Sequence, residues 1–92
     1  MSPNDVCKVL HKFFLAELEQ NIAASTAGAL RQDFPNIKAA ATAIALQVET
    51  NMETIKKWYY GFNAPSAANL IVLARISPSV RQTLLKLIDG ND

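Results

Sequence analysis

Few groups in this sequence of 92 residues could do chemistry, and they are concentrated. Lys56 and Lys57 stand side by side behind Glu53, with Asn51 and Met52 just before them and Tyr60 and Asn63 just after. Paired lysines beside a single carboxylate suit an anionic partner better than bond-making chemistry. A solvated helix face would account for the lysines equally simply, so their surroundings have to decide. Cys7 and His11 form a second pair, four apart and so able to approach one metal from a helix. Two ligands without a third or fourth make a poor site, and no metal is expected. With one histidine, one cysteine, no glycine-rich phosphate loop and no acid pair in an evident pocket, no catalytic residue or cofactor is assigned. An enzyme is not expected.

Net charge is only +1, but it is unevenly spread. Residues 50–88 hold Lys56, Lys57, Arg75, Arg81 and Lys86 against one acid, Glu53. Residues 1–49 hold four bases and five acids, and the tail adds Asp89 and Asp92. The basic part of the chain therefore contains the lysine pair, which favours a polyanion as partner. A single cysteine excludes an internal disulfide and points to a cytoplasmic setting. No apolar run approaches the length of a membrane span, and the apolar patch from Phe13 to Ala16 is followed at once by Glu17 and Glu19, unlike a signal peptide. No membrane partner is expected.

The length suits one domain with one core, and a composition rich in alanine and leucine with three glycines suits helices. Ser2, Pro3 and Asp5 read as a helix start. Val6, Val9, Leu10, Phe13, Phe14 and Leu18 then recur at helical spacing, predicting a helix over 3–20 with one buried face. A second helix is predicted over 21–34, with Ile22, Ala29, Leu30 and Phe34 in the core, a possible break at Gly28 and a stop at Pro35. Asn36 caps a third, alanine-rich helix running to about residue 47, with Ile44 and Val48 as its bulky contacts.

Glu49, Thr50 and Asn51 form a turn, and Asn51 caps a helix over about 52–60. Ile55, Trp58 and Tyr59 anchor that helix inward, leaving Glu53, Lys56, Lys57 and Tyr60 outward; Gly61 ends it. Ser66 caps a helix that buries Leu70, Leu73 and Ala74. Ser77 and Pro78 open a last one, about 78–89, closed by Gly90. Its stripe of Val80, Leu84, Leu85, Leu87 and Ile88 is wide enough for burial in the monomer or for a dimer seam. The fold class expected is all-α, a single domain of five or six short helices.

Residues 36–76 resemble the helix-turn-helix domain of the lambda repressor and Cro family, the XRE-like group. The resemblance rests on Ile44-Ala45, Val48, Thr54-Ile55, Trp58, Gly61, Pro65-Ser66 and the run from Leu70 to Ala74, in matching order and spacing. It covers under half of the chain, with the helix over 3–20 as an addition to the family core. The family's turn glycine is Glu49 here, for which the resemblance implies a conformation that glycine reaches more readily. The polar residue with which the family's second helix grips phosphate falls among Ala39 to Ala41, leaving Lys38 one turn earlier.

The resemblance implies a sequence-specific regulator of transcription on double-stranded DNA, with the helix over 52–60 in the major groove. Met52, Glu53 and Lys57 would then read bases: methionine against a thymine methyl, glutamate accepting from cytosine N4, lysine donating to guanine O6 and N7. Lys38, Asn51, Lys56, Tyr60 and Asn63 would contact phosphates. It further implies a homodimer on an inverted repeat, in a bacterial or phage-encoded protein of a mobile element. The competing expectation is a helical protein-interaction module, anti-activator or antitoxin-like, that keeps the fold with little DNA binding.

Overall fold

A computed structural model describes the backbone of residues 3–90 and the side chains of residues 14–90. It is all-helical, with five helices in the order α1 (Pro3–Asp33), α2 (Ile37–Ala45), α3 (Met52–Tyr60), α4 (Ala67–Ile76) and α5 (Pro78–Asp89). The cap at Ser2, the side chains of Val6, Val9, Leu10 and Phe13, and the Cys7–His11 pair lie outside the described residues or side chains.

The largest departure from expectation is α1. The helices predicted over 3–20 and 21–34 are one helix of 31 residues, without a break at Gly28. A lone glycine costs about 1 kcal/mol relative to alanine, and the hydrogen bonds of an uninterrupted helix outweigh that. Gly28 is exposed, with no neighbouring atom within 4 Å of where a Cβ would stand, so nothing forces a bend there. The helix stops where Pro35 requires, its last turn closed by the Phe34 N–H donating to the Leu30 carbonyl at 2.8 Å. Phe14, expected in the core, is 63 % exposed. The buried face of α1 runs instead through Ala23, Thr26, Ala27, Ala29 and Leu30, where α3 and α5 pack against it.

The core takes one deeply buried residue from each helix: Leu30, Ile44, Ile55, Leu73 and Val80. Trp58 and Tyr59 join them, as their spacing from Ile55 requires. α2 packs on α3 and α4, and α4 on α5. Small side chains at Ala40 and Ala41 let α2 sit close, both being buried. On α5 only Val80 is fully buried; Leu84 and Leu87 are half-buried, while Leu85 and Ile88 face solvent.

Capping follows the sequence closely. Asn36 Oδ1 accepts from the Ala39 N–H at 2.8 Å, Asn51 Oδ1 from Thr54 at 2.9 Å, Ser66 Oγ from Asn69 at 3.3 Å and Ser77 Oγ from Val80 at 3.2 Å. Each satisfies an N–H that the first turn of a helix leaves open. Gly61 and Gly90 end α3 and α5 in the left-handed conformation, φ 83° and 74°. α2 ends at Ala45 rather than near residue 47, and the Gln47 and Val48 N–H groups both donate to the Ile44 carbonyl. Glu49 does not take up the left-handed conformation expected of it, since no non-glycine residue among those described has positive φ. Residues 46–51 spread the reversal over six positions, which removes the need for one strained residue.

Candidate nucleic-acid interface

α3 is held at both ends and along one side. Its start is fixed by the Asn51 cap and its end by Gly61, while Ile55, Trp58 and Tyr59 bury its inner face. Arg31 near the end of α1 and Phe34 just beyond it hold the last turn of α3. The Arg31 guanidinium donates to the Tyr59 carbonyl at 2.6 Å, bringing a positive charge to the negative end of the helix. The Tyr59 hydroxyl donates to the Phe34 carbonyl at 2.9 Å.

With its inner face so occupied, α3 turns Met52, Glu53, Lys56, Lys57 and Tyr60 outward, all exposed. At roughly 100° per residue these five occupy one continuous arc of about 140°. The predicted base readers Met52, Glu53 and Lys57 therefore share a surface with the predicted phosphate contacts Lys56 and Tyr60. The Tyr60 ring is braced edge-on against Tyr59, centroids 5.1 Å apart. Trp58, at 3 % exposure, is an anchor with no face free for stacking on a base. Asn51 is exposed at the head of the arc; its side-chain oxygen is committed to the Thr54 N–H, and its amide donors are what it can offer a phosphate.

Comparison with known proteins gives no guide. No family model, curated protein or solved structure matches this chain.

The remaining predicted contacts lie off this arc. Lys38 is exposed on α2 beside Thr42 and Ala45, the only cation on that outer strip. The Thr42 hydroxyl donates back to the Lys38 carbonyl at 2.9 Å, so α2 offers an outside anion little beyond Lys38. Asn63 lines a notch with Phe62 and Ala64 against Ala16, Glu19, Gln20 and Ala23 of α1. There it shares a surface with the Glu19 carboxylate, an unfavourable neighbour for a phosphate. Arg75 and Arg81 do not extend the lysine patch. They line a second notch, between α4 and α5, with Ala74, Pro78, Gln82 and Leu85. The positive charge concentrated in residues 50–88 is thus divided, since Lys86 lies in neither place and lines another notch with Asn21, Ser25, Thr83 and Leu87.

Sequence reasoning did not single out Arg31 or Asp33, which set where α3 and α5 stand. Arg31 gave an ordinary signal, a base in the last turn of its own helix. Asp33 gave a sharper one, because a carboxylate at a helix C-terminus opposes the dipole there and must be satisfied elsewhere. Phe62, which sequence reasoning left open, is 76 % exposed, and Leu46, past the end of α2, is 78 % exposed. Among the described residues no group of three or more metal-ligating side chains comes together, and no helix is long and apolar enough to cross a membrane.

Proposed function

We propose that this chain is a small sequence-specific regulator that binds double-stranded DNA as a homodimer on an inverted repeat. The observation that carries the reading is the outer arc of α3. A nine-residue helix fixed by its cap, its glycine stop and a buried aromatic face presents Met52, Glu53, Lys56, Lys57 and Tyr60 together. A helix of this diameter fits the major groove. Met52, Glu53 and Lys57 act there as base readers, and Lys56, Tyr60 and Asn51 position the helix on phosphates. Lys38 adds a contact from α2.

Selection of bound sequences from random duplex DNA tests this. Enrichment of an inverted repeat, with affinity falling steeply as salt rises, is the expected result. A selected pool no different from the starting pool overturns the reading.

A second reading draws on the sparse charge of α2 and the exposure of Leu46 and Phe62 on either side of α3. In it the same helix face binds a protein. The selection separates the two, because a protein-binding module enriches no sequence.

A further inference from the structure

Arg75, in the last turn of α4, and Arg81, near the start of α5, both line the two adjoining notches where those helices meet. Ala74 is common to both notches; Ile71 and Leu84 belong to one and Leu85 to the other. Arg31 donates to the Tyr59 carbonyl, whereas Arg75 and Arg81 are exposed and make no such tie among the described residues. Arg75 complements the negative end of its own helix, but Arg81 stands toward the positive end of α5, which gives a cation no support. No acid of these two helices lies beside them. α4 has none, and α5 has only Asp89, about two turns beyond Arg81. Asp33, which meets the start of α5, is committed to Ser77 and Ser79. The same surface is apolar between its charges. Ile71 and Leu85 are each about half exposed, and Ile88, about two turns on from Arg81 and on its side, is more so.

We propose that this surface docks an acidic segment of a protein partner, one that carries two carboxylates beside a large apolar side chain. Charge complementarity selects the occupant. Two guanidiniums on one junction suit carboxylates, which their planar forks can hold with paired hydrogen bonds. The apolar residues between them select against a phosphate backbone, which matches the charge but brings no side chain to cover Ile71 and Leu85. A second copy seated by a two-fold axis centred here would bring like arginines together. An acidic segment with a leucine or phenylalanine answers both features at once: its carboxylates pair with Arg75 and Arg81, and its apolar side chain enters the notch beside Ala74. This docking uses none of the outer arc of α3, so it goes beyond the proposed function and stands or falls without DNA.

Selection of displayed random peptides on the full chain tests this. Enriched peptides are expected to share a pair of acidic residues next to a large apolar one. Titration of a selected peptide is expected to show affinity falling as salt rises. The double variant Arg75→Gln, Arg81→Gln is expected to weaken that peptide by on the order of tenfold or more, and Leu85→Ala by several-fold, with the thermal melt unchanged because all three side chains are exposed. Arg75→Glu, Arg81→Glu is expected to enrich peptides with lysine in place of the acids, a change of preference that loss of folding could not produce. No enrichment, enriched peptides without acids, or peptides that bind the double variant as tightly as wild type overturns the proposal. So does a double variant whose sedimentation shows a lost self-association, which would make the surface a seam between copies. A double variant that weakens binding to all DNA sequences alike and lowers the salt slope also overturns it, making the arginines phosphate contacts. A chain that enriches acidic peptides but no DNA sequence would count against the proposed function and leave this docking surface standing.

Discussion

The Asp33 carboxylate, at the end of α1, accepts a hydrogen bond from the Ser77 hydroxyl at 2.5 Å, 44 residues on. It also accepts from the Ser79 N–H at 2.9 Å and the Ser79 hydroxyl at 2.6 Å. A charge that its own helix disfavours thus sits at the positive end of α5 and holds it against α1. Ser77 is fully buried, and its oxygen also accepts from the Val80 N–H. Asp33→Ala is therefore expected to cost about 1–3 kcal/mol, measured by urea unfolding.

The same contact makes stability depend on pH. Hydrogen bonds from Ser77 and then Ser79 hold the Asp33 pKa below its ordinary 3.8, burial opposing them less strongly. The unfolded chain takes up the proton at higher pH than the folded one, so folding is favoured above 3.8 and that advantage disappears as pH falls through the lowered value. Melting temperatures of wild type and Asp33→Ala, followed from about pH 6 down to pH 2, are expected to converge at the acid end. A constant gap across that range would show that the charge is not what holds α5.

Gly28→Ala tests the continuity of α1. The position is exposed and a Cβ there meets nothing within 4 Å. In an unbroken helix the change is expected to stabilise by about 0.5–1 kcal/mol, raising the melting midpoint. A chain that breaks at residue 28 would gain nothing.

Gly61→Ala acts in the other direction. Its φ of 83° lies where a side chain is strained, although the new Cβ would meet Ala27 Cβ at 3.4 Å, an ordinary contact. Backbone strain then sets the cost, about 1–2 kcal/mol. Gly61→Asn is expected to recover part of it, since asparagine tolerates this conformation.

The contrast between Gly61 and Gly28 shows what could be read in the sequence. Gly61 follows an apolar spacing that ends with Tyr59, and a glycine there has one common use. Gly28 lies inside a run of helix formers, where the same residue is merely tolerated. The caps at Asn36, Asn51, Ser66 and Ser77 were legible because each acts within three residues of itself. So was the outer arc of α3, because Ile55, Trp58 and Tyr59 fix which side is inward. The union of two expected helices into α1 was not legible, since a change of apolar side looks like a change of helix. The ties from Arg31 to Tyr59 and from Asp33 to Ser77 span 28 and 44 residues, beyond any local pattern. For the same reason the sequence showed how much positive charge follows residue 50 but not its division among separate surfaces.

The arc on α3 makes a directional prediction about its two lysines. Both are exposed on the same helix face, and neither contributes to the core. Lys57→Ala is expected to cost about 1–3 kcal/mol against the preferred base at one position of each half-site and to relax the choice there. Lys56→Ala is expected to weaken all sequences alike and to reduce the salt dependence of binding by about one unit of slope. Competition binding with single-base variants of the selected site, repeated at two salt concentrations, distinguishes them. Both variants should melt as wild type does. If both instead relax the same position, or both lose affinity without any change in salt slope, the division of the arc into a reading edge and a phosphate edge is wrong.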